Sequence, residues 1–233
     1  MAIYAISDLH LSFGNNKPMD IFGVAWENHT DKVKENWIKK VTDSDLVLLP
    51  GDFSWAMYLK DTYEDFNFLN NLPGKKILLK GNHDYWWTSI KKMREYLEEN
   101  NFNNIDFLHN NSYEFENYII TGTRGWQDEN NKEDKRITKR EKLRLELSIK
   151  DGVEKYGEDK EIIVCMHYPP FNHYEELDCS YIDTMKKYNV KKCVYGHLHG
   201  EESHKSAKEG IINDIDFKLV SCDYTDFDLI KII

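Results

Sequence analysis

Seven residues in this sequence combine metal-donor chemistry with a repeated placement. Five short apolar runs each end on a nitrogen or oxygen donor. Asp8 and His10 follow residues 2–7, Asp52 follows 46–51, Asn82 follows 77–81, His167 follows 162–166, and His197 and His199 follow 193–196. Two carboxylates, one amide and four imidazoles, with no thiolate, suit Mn²⁺, Zn²⁺, Fe or Ni²⁺ better than Ca²⁺. Seven donors exceed the needs of one tetrahedral ion, so two divalent ions are expected, with Asp52 the candidate to bridge them. Gly51, Gly81 and Gly196 each precede a donor, where a missing Cβ lets the backbone turn tightly beneath the ions.

Residues so far apart in sequence meet only if the apolar runs are strands whose carboxyl ends share one sheet edge. Between the runs, apolar periodicity near 3.6 predicts helices over residues 30–42, 63–72, 89–99, 139–156 and 182–188. Val33, Trp37, Ile38 and Val41 form the apolar face of the first, and Ile90, Met93 and Leu97 that of the third. Strands separated by helices require right-handed crossovers and a largely parallel sheet. Three consecutive strands at 105–108, 113–115 and 118–122, and a strand-rich tail from 210 to 233, add antiparallel pairs. No linker or low-complexity segment interrupts the pattern, so one α/β domain over residues 1–233 with two stacked sheets is expected.

Composition sets the outer limits. The 233 residues are 40% hydrophobic and 13% aromatic, enough to bury a sizeable core and too much for a disordered chain. The net charge of −10 disfavours long nucleic acid and anionic membrane, both of which are gripped through Lys and Arg. Any anionic substrate must then be attracted locally. Cys165, Cys179, Cys193 and Cys222 form no Cys-x-x-Cys pair and read as reduced core thiols. The first residues lack the basic region of a signal peptide, and no apolar run approaches the ~20 residues of a membrane span. A soluble cytoplasmic protein without a membrane partner is the expectation.

Asp8-Leu9-His10, Gly51-Asp52, Gly81-Asn82-His83-Asp84, His167 and Gly196-His197-Leu198-His199 resemble, in order, the five motifs of the calcineurin-like metallophosphoesterase superfamily. The resemblance implies a four-layer αββα sandwich with two stacked mixed β-sheets. It also implies that Asp8, His10, Asp52 and His199 hold one metal, and Asp52, Asn82, His167 and His197 the other. His83 would be a catalytic imidazole outside the ligand set, with Asp84 orienting it and favouring its charged form. The implied reaction is hydrolysis of a small phosphate monoester or diester, by a metal-bridging hydroxide attacking phosphorus. The metal identity, among Mn, Fe and Zn, stays open. Phe53-Ser54-Trp55 stands where protein Ser/Thr phosphatases carry Asp-Arg-Gly, which points to a small bacterial-type phosphoesterase instead.

Substrate choice has weaker signals. Trp55, Trp86, Trp87 and Trp126 follow strand ends and could stack on a ring or pack in the core. Arg124 could clamp a phosphate, beside Asn82 and His83, or form a salt bridge. Residues 132–144 hold seven Lys or Arg against three Asp or Glu, a solvated helix or a phosphate-attracting lid. His29, His109, His173 and His204 receive no role. A nucleotide phosphodiesterase or nuclease on the same metals, and a non-catalytic scaffold of the same fold, are the competing functions.

Overall fold

Residues 46–49 read Leu-Val-Leu-Leu, and in an extended chain such a run must bury both faces. A computed structural model of the chain describes residues 1–15, 17–126, 131–171 and 180–233 and shows where those faces go. Strands β1 (Ile3–Ala5), β2 (Leu46–Leu49), β3 (Lys75–Leu79) and β4 (Ile105–Leu108) pair in parallel, and β11 (Ile230–Lys231) closes the sheet antiparallel to β1. A second sheet runs in the order β5 (Tyr113–Phe115), β6 (Tyr118–Thr123), β7 (Glu161–Met166), β8 (Lys192–Tyr195), β10 (Ile215–Leu219) and β9 (Gly210–Ile212). Its two outer pairings are antiparallel and the inner ones parallel.

Alternation along the strands sorts the core into three interfaces. Leu46, Leu48, Ile77 and Leu79 of the first sheet meet Ile120, Ile163, Cys165 and Val194 of the second. Val47, Leu49, Leu78 and Phe107 face outward onto helices α1 (His29–Lys40), α2 (Tyr63–Asn70) and α3 (Ile90–Glu99), through Val33, Trp37, Phe66, Leu69, Met93 and Leu97. Ile119, Ile162, Val164 and Met166 pack on α4 (Lys132–Tyr156) and α5 (Ser180–Lys187), through Leu145, Ile149, Ile182 and Met185. Three apolar interfaces separate four layers, as the sequence pattern requires. The chain is therefore mixed α/β, with two mixed sheets between helices.

Some details differ from the sequence reading. Ile38 is 56% exposed, because α1 turns His29, Val33 and Trp37 inward, with Val41 buried just past its end. Helix α4 starts seven residues earlier than its periodicity suggests, since Asn131 caps it by accepting from the Asp134 amide and acids fill its first turn. A short helix α6 (Gly200–His204) follows β8 where none was foreseen. Cys165, Cys193 and Cys222 are buried and unpaired, with thiols pushed up by burial; Cys179 and His173 lie outside the described residues. Among the described residues no helix is long and apolar enough to cross a membrane.

Lys76 is an exception inside β3. It is 1% exposed, its ammonium donates to the Leu72 carbonyl, and burial lowers its pKa from 10.5 to about 7. Between those two values the unfolded chain holds a proton that the folded chain has released, so stability rises with pH across that window. Lys76→Met removes the titration. Its advantage over wild type should be full below pH 7 and shrink steadily towards pH 10, read from urea midpoints; a pH-independent difference would refute this assignment.

Candidate metal centre

The loops leaving the strand ends adopt backbone conformations that side chains ordinarily avoid. Asp8, His10, Asp52 and His197 have φ of 61°, 46°, 52° and 73°. A non-glycine residue held in the left-handed region costs on the order of 1–3 kcal/mol, and such residues persist where surrounding contacts over-determine them. Those contacts are visible. The loop after β1 runs beside the loop after β2, with the Asp8, His10 and Leu11 amides donating to the carbonyls of Gly51, Asp52 and Phe53 at 3.0, 3.0 and 2.9 Å. The buried Asp84 carboxylate accepts from the amides of Asp52, Phe53 and Gly81 at 2.9, 2.9 and 2.7 Å, and from the Trp86 indole at 3.0 Å. A Cβ on Gly81 would collide with the Asp52 carboxylate and amide, and one on Gly51 would lie 2.7 Å from His167 Nδ1. These glycines are demanded by close approach.

Asp8 stands at the centre. Its Oδ2 accepts from the Ser7 hydroxyl, from the Ser221 hydroxyl at 3.0 Å and from the His197 amide at 3.0 Å. Its Oδ1 is buried, makes no hydrogen bond, and lies 3.4 Å from His199 Nε2 and 3.9 Å from His167 Nδ1. Asp52 Oδ2 reaches His10 Nε2 at 3.8 Å and His167 Nε2 at 3.6 Å, while its Oδ1 accepts from the His83 amide at 2.8 Å. His10 and His199 point their Nε2 atoms at each other across 3.3 Å, and His167 Nε2 lies 2.6 Å from Asn82 Oδ1. Two groups of donors thus converge, Asp8 with His10 and His199, and Asp8 with Asp52 and His167. His197 joins through its backbone amide, and its ring packs on His167 and Tyr168 with centroids 5.1 and 4.2 Å away.

The electrostatics call for cations. Burial, then Asp84 and Asp8, push the Asp52 carboxyl well above its ordinary range. Burial also opposes ionisation of Asp8, but His199, His167 and His10 outweigh it and hold that carboxyl low. Burial drives His167 down to about 3 and His10 well below 6.5, so both offer neutral lone pairs. His199 is raised, to about 10, because Asp8 and Asp223 overcome its burial. A buried carboxylate oxygen that accepts no hydrogen bond, the neutral imidazoles of His10 and His167 and an amide oxygen, gathered without a thiolate, fit divalent cations.

Two residues absent from the sequence reading support this set. Asp223 accepts from His199 Nδ1 at 2.9 Å and from the Gly200 amide at 3.0 Å, which fixes the ring with Nε2 inward. It follows the apolar end of β10 just as the other donors follow their strands, so the same signal could have found it. Trp26 lines, with Met19, Phe22, Trp55 and His83, a cavity of about 310 Å³ over His10 and His199. Trp55 stacks on His10 at 4.7 Å and carries the Lys17 ammonium 3.2 Å from its ring centroid. Trp86 is buried and Trp126 donates to Asp134 at 2.9 Å, so these two serve packing.

A family model for calcineurin-like phosphoesterases matches residues 1–201. The chain belongs to that family. Among curated proteins none matches. Two solved structures are similar in fold. The protein of unknown function AQ665 from Aquifex aeolicus is 19% identical, with 99% of this chain and 95% of that one covered and a TM-score of 0.51. The protein TT1561 of Thermus thermophilus is 12% identical, with 98% and 96% covered and a TM-score of 0.61.

One expectation from the phosphoesterase resemblance is corrected. Asp84 does not orient His83, because both its oxygens are occupied by backbone amides and Trp86, and the buried His83 Nδ1 makes no hydrogen bond. Nor is the His83 imidazolium favoured; burial, then Lys17 and His199, lower its pKa from 6.5. Arg124 is also displaced. Its carbonyl accepts from the His167 and Tyr168 amides at 3.2 and 2.9 Å, but its side chain lines a separate cavity. Asp223→Asn should weaken binding of the metal at His199 about 10–100-fold, by competition titration against a chromophoric chelator. Unchanged affinity would refute the orienting role.

Proposed function

We propose that the chain is a two-metal phosphoesterase that hydrolyses a small phosphorylated molecule. The observation that carries this reading is the Asp8 carboxylate, with one oxygen saturated by three donors and the other left bare before two imidazoles. Asp8, His10, Asp52 and His199 would hold one ion, and Asp52, Asn82, His167 and His197 the second. Asp52 would serve both ions in this reading, because its Oδ2 lies 3.8 Å from His10 and 3.6 Å from His167. Two divalent ions so held supply positive charge to phosphoryl oxygens and make water nucleophilic at neutral pH.

The chain's own residues do the rest. The cavity of about 310 Å³ admits a small substrate, and its walls of Met19, Phe22, Trp26 and Trp55 suit an apolar or aromatic leaving group. His83 lines the same cavity and starts neutral; a phosphate dianion beside it favours the imidazolium, which can protonate the departing oxygen. The same walls would receive the second arm of a nucleotide diester. A non-catalytic scaffold is disfavoured, since it would have no reason to hold four strained residues around a buried carboxylate oxygen that accepts no hydrogen bond.

Metal-loaded protein assayed with an aryl phosphate and a bis-aryl phosphate side by side should turn over at least one, and the preference separates monoesterase from diesterase. Asp52→Asn should lose both turnover and bound metal by elemental analysis; an active variant retaining two metals overturns the reading. His83→Asn should lower kcat about 10²–10⁴-fold with metal content unchanged.

A further inference from the structure

A second cavity, of about 330 Å³, opens beside the metal centre and shares no lining residue with the one over it. Four cations line it: Lys80 at the end of β3, Arg124 at the end of β6, and Arg140 and Arg144 from the first half of α4. The one carboxylate lining it is that of Glu141, whose side chain is only 1% exposed. Glu141 accepts from Thr123 Oγ1 at 2.7 Å, Arg144 Nη1 at 2.7 Å and Arg140 Nε at 3.3 Å. It acts as an anchor, fixing two guanidinium groups on the cavity wall. Lys80 and Arg124 have no ion-pair partner among the described residues. Arg124 is instead placed by its contact with the Trp126 ring, 4.8 Å from the centroid.

Four cations against one carboxylate, in a chain of net charge −10, leave the cavity strongly positive. Like charges gathered this closely repel unless an anion joins them. Guanidinium groups preset by a buried carboxylate, with a free ammonium opposite, match the several oxygens of a phosphate group.

We propose that this cavity is a second anion site that receives a phosphate group, distinct from the metal centre and adjacent to it. Adjacency follows from the chain itself. Lys80 lies two residues ahead of Asn82, within about 7 Å between Cα atoms, and the Arg124 carbonyl holds the amide of His167. The occupant is therefore either the second phosphate of a doubly phosphorylated substrate or free phosphate. The substrate arm rests on the phosphoesterase reading above; the anion site does not.

Calorimetric titration of inorganic phosphate and of fructose 1,6-bisphosphate into the metal-loaded protein, before and after chelation with EDTA, tests this. One equivalent of phosphate should survive chelation, and Lys80→Gln and Arg124→Gln should each weaken it at least tenfold. Among the described residues neither side chain has an ion pair to lose, and using two separate variants guards against misfolding of one. A substrate's second phosphate predicts that the bisphosphate binds the metal-loaded protein at one equivalent, at least tenfold tighter than phosphate, with the gain lost in both variants. A free-phosphate site predicts no such gain. Loss of all phosphate binding on chelation, or binding that survives but is indifferent to both variants, overturns the proposal. If the metal-centre reading alone fails, the chelation-resistant equivalent and its sensitivity to Lys80 and Arg124 remain.

Discussion

The structure is organised around two carboxylates, Asp8 and Asp52, buried to 0% and 1% exposure and each within 3.9 Å of the same imidazole, that of His167. Charge removed from water at such a depth must be compensated, and here hydrogen bonds satisfy only part of it. Asp8 Oδ2 is saturated, Asp8 Oδ1 is not, and Asp52 is left with its carboxyl driven above its ordinary range. Cations complete such a site. Much of the surrounding architecture holds these two groups in place: parallel strands ending on one edge, glycines without room for a methyl group, and loops tied by Asp84.

Backbone strain shows how firmly they are held. Four of the seven donor residues have left-handed backbone, at a cost of on the order of 1–3 kcal/mol each. Three apolar interfaces, one between the sheets and one on each outer face, supply far more than that through burial. The rigid sheets can therefore carry strained loops at their edge. Asp84 shows the same logic at residue scale. A carboxylate that neighbours a catalytic candidate in sequence serves in space as a staple for the loops of β2 and β3.

Charge is distributed unevenly. The chain is acidic as a whole, yet it gathers four cations into one cavity beside the metal centre. A metal-loaded centre adds a second positive point. The basic run in residues 132–144, read from sequence as a solvated helix or a phosphate-attracting lid, is divided between solvent and the cavity wall. Arg140 and Arg144 line the cavity beside Glu141, while Lys132, Lys135, Arg136 and Lys139 are exposed on α4.

The sequence by itself determined the family and the α/β layering and pointed to candidate donors, because apolar periodicity and motif order are local properties of the chain. Strands with two apolar faces had to be buried twice, and donors placed after five strand ends had to meet. What periodicity could not carry was side-chain direction and partnership across the fold. Asp84 beside His83 read as its orienting partner, but the amides of a different loop claim the carboxylate. Asp223 and Trp26 lie outside the motifs and enter the site only because β10 and the loop after β1 come to the same edge. Arg124 was legible as a phosphate-binding candidate, but which cavity it lines was decided by the ends of β3, β6 and α4 meeting in space. Motifs name donors through local spacing; only packing decides what each donor faces.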